Sequence, residues 1–296
     1  MKELEQYIFR KFPLEETDIP LVFILGPPRT GSTLLYQLLV NFFGLFYFSN
    51  LVNDFFSEHP VIGAIVQQAF RWREVSYESK QGKTAELFEP SEASLIFKNW
   101  FGSQHPSQTK SCDVIVEKKS HMIGTMSAIY QITCQPILIK NAWNCFRIRS
   151  LVEMFPASKF IWIRRDLVHS ADSDLKTRLA RGSLDTWSSA TTANYEEIQR
   201  RPHGEQVVLQ QYEYSKAIAN DLKQFVPRFL EVRYEDLCTT SSRQLDRLGK
   251  FLGMTRINGT VPELKPSVPT SIDDEILAFV NQNLDKFRPF LKGSCP

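Results

Sequence analysis

Eight residues, Gly26-Pro27-Pro28-Arg29-Thr30-Gly31-Ser32-Thr33, have the types and spacing of a turn that holds an anion. The five residues before them, Leu21 to Leu25, are all apolar, which reads as a strand buried in a parallel sheet. Leu34, Leu35, Leu38 and Leu39 follow at helical spacing. A strand that turns straight into a helix aims the first backbone N–H groups, and the positive end of the helix dipole, at one point. Phosphate is the ligand that such a point suits. Gly26 and Gly31 keep the spacing of a Walker A loop, but Ser32 stands where the triphosphate-binding lysine belongs. The cation of the loop is Arg29. A single 5′-phosphate fits this arrangement better than a metal-bound triphosphate.

Two further cations end apolar runs. Pro136–Lys140 reads as a second strand, closed by Lys140, with a helix from about Asn144 to Phe155. Lys159–Ile163 reads as a third, running into Arg164-Arg165-Asp166, with a helix over Leu167–Arg181. Phe229–Arg233 reads as a fourth, followed by Tyr234-Glu235-Asp236-Leu237 and a helix over Ser241–Leu252 that Gly253 caps. In open parallel sheets ligands bind at the carboxyl ends of the strands, so Arg29, Lys140 and Arg165 should meet in one crevice. The expected fold is α/β: three layers, α/β/α, around a central parallel sheet with a P-loop-like phosphate-binding turn. Residues 1–296 are expected to form a single domain.

The remaining segments read as supports. Residues 1–19 predict a short amphipathic helix with a lead-in, Leu45–Phe48 a short strand, and Val61–Arg73 a helix. Glu74–Thr84 is polar and reads as a loop over the crevice. Glu89-Pro90-Ser91-Glu92 predicts a helix start with Ser91 as N-cap, ending near Gly102. His105–Gln108 reads as a loop, Asp113–Glu117 as a short strand and Ser120–Thr133 as a helix. Residues 185–226 predict two helices, 254–269 a loop, and Ile272–Phe287 a last helix.

The formal charge of +2 argues against a general nucleic-acid binder. The five cysteines lie far apart and form no CxxC pair, so reduced thiols are expected rather than a zinc site or disulfides. The first residues alternate acidic and basic side chains and lack the apolar stretch of a signal peptide. Leu34–Phe48 is broken by Gln37, Asn41 and Gly44 and is too short for a membrane span. A cytoplasmic location is the expectation.

Arg29-Thr30-Gly31-Ser32-Thr33 resembles the 5′-phosphosulfate loop of sulfotransferases that use 3′-phosphoadenosine 5′-phosphosulfate (PAPS). Cytosolic members usually carry Lys-Ser-Gly-Thr-Thr there, and Golgi and bacterial members often carry Pro-Arg-Ser-Gly-Thr-Thr. The resemblance extends over residues 21 to about 253 through two later segments. It implies that Arg29, Thr30, Gly31, Ser32 and Thr33 hold the 5′-phosphosulfate. It implies that Arg165 and Ser173, eight residues apart, hold the 3′-phosphate, with Arg164 as the competing arginine. A strand-end arginine offers a bidentate fork to a dianion, which is the physical reason for such a pattern. Phe229–Gly253 resembles the family's Tyr-Glu-Asp-Leu strand end and Phe-Leu-Gly close, and it implies that Tyr234 approaches adenine while Glu235 and Asp236 orient local structure.

Lys140 falls where cytosolic members have Lys-Thr-His, so the resemblance makes it the cation on the transferring sulfuryl group. The histidine position is Ala142, and the family's base cannot be carried over. Glu92, Glu58, His59 and His105 are the candidate bases. Glu92 is favoured because burial at a helix start before an aromatic face would raise its proton affinity toward working pH. The implied reaction moves the sulfuryl group of PAPS to a hydroxyl or amine of a small-molecule, lipid or carbohydrate acceptor, leaves PAP, and requires no metal. The rival readings are a divergent P-loop kinase or NTPase and a non-catalytic PAP-binding protein.

Overall fold

The computed structural model describes residues 1–12, 19–70, 75–80, 82–102, 114–187, 189–226 and 228–291. Five parallel strands form one sheet: β1 (Leu21–Leu25), β2 (Phe46–Tyr47), β3 (Ile137–Lys140), β4 (Lys159–Arg164) and β5 (Phe229–Arg233), in the spatial order β2-β3-β1-β4-β5. The first strand lies at the centre. Ile24 pairs with Lys140 on one side, and Leu25 with Trp162 on the other. The carboxyl ends of β1, β3 and β4 are therefore level.

Uniform apolarity of the strands has a simple cause: both faces are covered. Leu21, Phe23 and Leu25 enter one core with Ile137, Ile139, Phe160 and Trp162. Val22 and Ile24 enter the opposite core with Leu138, Ile161 and Ile163. The two-residue period of a strand splits each run between the two cores.

Helices fill both outer layers. They are α1 (Lys2–Lys11), α2 (Ser32–Phe43), α3 (Asn50–Phe55), α4 (Pro60–Phe70), α5 (Ser94–Phe101), α6 (Val116–Thr133), α7 (Ile148–Met154), α8 (Leu167–Ala180), α9 (Tyr195–Ile198), α10 (His203–Phe225), α11 (Tyr234–Thr239), α12 (Ser241–Leu252), α13 (Asp274–Gln282) and α14 (Leu284–Phe287). A short 3-10 helix, Ala142–Phe146, precedes α7. A third apolar cluster joins α8, α10, α13 and α14 around Leu175, Val207, Ile276 and Phe287. Among the described residues no helix is long and apolar enough to cross a membrane.

Several boundaries differ from expectation. Val114-Ile115-Val116 is β-branched and was expected to be a strand, yet Val116 opens α6, and the amides of Lys118 and Lys119 both donate to the Ile115 carbonyl. Ile115 and Val116 are exposed, so no sheet edge uses them; Asp113 and the expected loop at 105–108 lie outside the described residues. The helix expected from Asn144 splits at Arg147, and the last helix splits at Asn283. Ser91 is not an N-cap. Its amide donates to the Phe48 carbonyl, its Oγ accepts from Ala93 N, and α5 begins only after Ala93 in the left-handed region, φ 52°.

Candidate active site

The loop after β1 keeps the geometry its residues imply. Thr30 Oγ1 donates to the Pro27 carbonyl at 2.8 Å and closes the turn. Arg29 and Gly31 are both left-handed, with φ of 65° and 85°. Gly31 is the N-cap of α2 and supplies no side-chain acceptor, so the first amides of the helix are left for a ligand. The ring of Tyr234 lies directly on Gly31: a Cβ built there would sit 2.3 Å from Tyr234 Cδ2. Gly31→Ala combines that overlap with the left-handed strain and should cost about 2–4 kcal/mol of stability. A urea midpoint equal to that of the parent protein would show that the ring does not pack there.

Behind the loop stands a thiol that the sequence offered no reason to single out. Cys145 Sγ accepts from Gly26 N at 3.4 Å and donates to Gly26 O at 3.5 Å. Burial pushes this thiol up to about 12, so it stays protonated and acts as a strut. Cys134 and Cys238 are also free thiols; Cys112 and Cys295 lie outside the described residues.

A cleft of about 520 Å³ opens over the strand ends. Nine of the residues singled out from the sequence line it, Arg29, Gly31, Ser32, Thr33, Glu92, Lys140, Arg165, Ser173 and Tyr234, with Thr30 buried beneath as the pin of the turn. The two segments expected to bind anions touch. Arg29 Nε donates to Ser173 Oγ at 3.2 Å, although the residues are 144 apart in the chain. The Arg29 guanidinium is thus turned toward α8 rather than folded over its own loop. Burial lowers its proton affinity, Asp174 opposes that shift, and Arg165 and Arg181 add to it.

Arg164 and Arg165 separate cleanly. Arg164 leaves the cleft to bind Glu231 Oε1 at 3.0 Å and the Pro289 carbonyl at 2.5 Å. Arg165 lines the cleft: Nη1 donates to the Arg29 carbonyl at 2.9 Å, Nη2 donates to the Ser267 carbonyl, and the guanidinium lies 4.7 Å from the centre of the Tyr234 ring. Its Nε is buried and, among the described residues, meets no acceptor. Tyr234 Oη accepts from Ser267 N at 3.0 Å. Glu235 Oε1 accepts from Asp166 N at 3.4 Å, and Asp166 caps α8 through His169 N at 3.0 Å.

The other end of the cleft holds Lys140. This lysine is 7% exposed, and its Nζ donates to Glu92 Oε1 at 2.5 Å and to Thr33 Oγ1 at 3.1 Å. Thr33 Oγ1 in turn donates to the Gly82 carbonyl at 2.8 Å, which ties the segment at Gly82 to the site. Asn141 Nδ2 donates to the Glu92 carbonyl at 2.8 Å, so β3 holds both ends of this residue. Glu92 was expected to be buried at a helix start. It lies before α5 with its side chain 32% exposed, because the chain at 90–91 is drawn to β2 by the Ser49–Pro90 bridge and the Ser91–Phe48 bond.

The other candidate bases lie elsewhere. His59 Nδ1 contacts Glu5 Oε2 at 2.9 Å, and His121 Nε2 shares the same oxygen at 3.1 Å; neither histidine lines the cleft. Glu58 does not line the cleft, and His105 lies outside the described residues. Several cleft residues were missed, Lys83, Trp143 and Trp187 among them. Thr177 and Arg181 follow Ser173 at a spacing of four along α8 and into its C-cap, a periodicity that could have revealed them; Asp174 adjoins them. Ser267 comes from an irregular loop and carries no local signal.

Comparison with known proteins agrees with this geometry. The family model described as "Sulfotransferase family" matches residues 20–258. The chain is 24% identical over 271 residues to the omega-hydroxy-beta-dihydromenaquinone-9 sulfotransferase Stf3 of Mycobacterium bovis and of Mycobacterium tuberculosis, covering 83% of this chain. It spans 66% of the length of those relatives. Its fold is similar to that of sulfotransferase STF9 from Mycobacterium avium, with TM-score 0.56, 13% identity, and coverage of 95% of this chain and 72% of that one. Sulfotransferase STF1 from Mycobacterium tuberculosis gives TM-score 0.51 and 13% identity over 96% of this chain and 78% of that one. The family match over residues 20–258, most of the chain, shows that the chain belongs to the sulfotransferase family.

Proposed function

We propose that the cleft binds PAPS and transfers its sulfuryl group to a hydroxyl or amine of a small-molecule, lipid or carbohydrate acceptor. The observation that carries this reading is the buried, unspent Nε of Arg165 beside Arg29 and Ser173, at the opposite end of the cleft from Lys140. Such a guanidinium invites an oxyanion, and two separated cationic ends suit a doubly phosphorylated nucleotide. Arg165, Ser173 and Arg29 would hold the 3′-phosphate end. The amides of Ser32 and Thr33 would hold the 5′-phosphosulfate next to Lys140, whose Nζ the Thr33 hydroxyl oxygen helps to place. Tyr234, stacked between Gly31 and Arg165, borders the space left for adenine.

In this reading the acceptor oxygen attacks sulfur in line with the leaving phosphate. A sulfur–oxygen bond to the acceptor forms, the bond to the PAP phosphate breaks, and its electron pair leaves with PAP. The acceptor proton passes to Glu92, the carboxylate held 2.5 Å from Lys140 Nζ. Lys140 and the loop amides face the oxygens on which charge spreads, so fixed donors do most of the work. The curated relatives are named for an omega-hydroxylated dihydromenaquinone, which supports a hydroxyl carried on an apolar body as the acceptor.

Ala142 in the family's histidine position favours one alternative, a member that binds PAP without transfer. A thermal-shift series tests the donor site first. PAP at about 100 times its Kd should stabilise the protein by about 2.7 kcal/mol, and ATP with Mg²⁺ should not. Stabilisation by ATP–Mg²⁺ alone would overturn the reading in favour of a kinase or NTPase. Transfer from radiolabelled PAPS to an acceptor panel then separates an enzyme from a binder.

A further inference from the structure

Arg147 closes the 3-10 helix that leaves β3 and serves as N-cap of α7. It is 4% exposed. Its Nε and Nη1 are buried, and among the described residues neither meets a hydrogen-bond acceptor. No carboxylate of the described residues pairs with it. What flanks it are ring faces: its guanidinium lies 4.3 Å from the centre of Phe101 and 5.9 Å from that of Trp143. Burial pushes the guanidinium down to about 10. Three residues earlier, Asn144 is 1% exposed, and its Oδ1 and Nδ2 are also without partners among the described residues. Side chains three apart on a 3-10 turn lie over one another, so the two orphaned groups share a side of the helix.

A buried charge without a counterion is costly, and a structural site would pair it or replace it with an apolar side chain. Among the described residues this pocket does neither. Trp143 belongs both to it and to the wall of the cleft, where it follows Lys140, Asn141 and Ala142. Phe101 ends α5, the helix that begins just after Glu92. Both rings are therefore continuous in the chain with the two segments that carry the Lys140–Glu92 pair.

We propose that Arg147, with Asn144, recognises the acceptor, and that the acceptor carries an oxyanion, carboxylate or phosphate, on an aromatic or aliphatic body. The fork of the guanidinium takes the oxyanion, while Phe101 and Trp143 take the adjoining apolar surface. Trp143 is the partition that must turn for the anion to reach Nε and Nη1. This rests on the reading of the cleft as a sulfotransferase site, with the acceptor entering on the Lys140 side.

The test uses three phenols on the full chain, with and without PAP, followed by thermal shift. 3-(4-Hydroxyphenyl)propionate and 4-hydroxybenzylphosphonate carry an oxyanion; 4-propylphenol does not. The two anionic probes should raise the melting temperature of the wild type and leave Arg147→Met unmoved, while 4-propylphenol treats both proteins alike. PAP should shift both proteins equally, and Arg147→Met without ligand should melt no lower than the wild type. Arg147→Lys keeps the charge without the fork and should lose at least half of the anionic shift. Anionic probes that shift wild type and Arg147→Met equally, or shift neither, overturn the proposal, as does an Arg147→Met protein that melts well below its parent. A missing PAP shift with the probe difference intact would instead overturn the donor reading alone.

Discussion

Arg165→Ala is expected to weaken PAP binding by about 30-fold or more, whereas Glu92→Ala should change it less than threefold. The first substitution removes a charge-assisted contact to phosphate, worth roughly 2–3 kcal/mol, and each 1.4 kcal/mol is tenfold in affinity. It also removes a preorganised element. Arg165 Nη1 pins the Arg29 carbonyl at 2.9 Å, and Nη2 pins that of Ser267, so its loss loosens the phosphate loop and the segment behind Tyr234 together. Arg165→Lys should recover only part of the affinity, because a point charge cannot span two carbonyls and still face an oxyanion. Arg164→Ala is the internal control: its guanidinium is spent on Glu231 and Pro289 outside the cleft, and PAP affinity should hold. Isothermal calorimetry on the four variants reads all of this. Equal losses for Arg165→Ala and Glu92→Ala would mean that the two ends of the cleft have been given the wrong roles.

The choice between Arg164 and Arg165 was not legible in the sequence, and the reason is geometric. Neighbouring residues at a strand end point to opposite sides, and nothing local fixes which side faces the ligand. The register does: Arg164 pairs with Arg233 as the last residue inside the sheet, and Arg165 is the first beyond it. The inner strands β1 and β3 were legible because each is buried on both faces and is apolar up to its last residue, whereas the edge strand β5 is half-exposed and carries Glu231 and Arg233. The turn between β1 and α2 was legible because Gly26 and Gly31 follow an apolar run at a fixed spacing, and Gly31 takes a φ of 85° that glycine allows. Where the reading failed, tertiary contact overrode local preference. Ser91 has the chemistry of an N-cap, but its amide is taken by Phe48 and the helix starts later. Val114-Ile115-Val116 has the composition of a strand but no sheet edge to join. Ser267, Cys145 and Arg147 reach their places through contacts with residues distant in the chain or through burial, and no periodicity announces them.

Lys140→Met should lower kcat by about 10²–10³-fold while PAP binding changes little. Losing one fixed donor to developing charge in a dry site typically costs that much, and PAP lacks the sulfuryl group that Lys140 is proposed to face. The split between turnover and product affinity is the signature, because a lysine that merely supported the loop through Thr33 would weaken both. Glu92→Gln should also cost about 10²-fold or more in kcat if the carboxylate takes the acceptor proton. The two side chains are bonded at 2.5 Å, so their effects should not add. With Lys140 gone, sulfuryl charge is no longer neutralised and transfer is limited before Glu92 matters; the double variant should fall little below Lys140→Met. Full additivity in kcat would place the base elsewhere. Retained transfer by Glu92→Gln together with a collapsed Lys140→Met would leave Lys140 as the electrophilic partner and assign proton removal to water or to the acceptor itself.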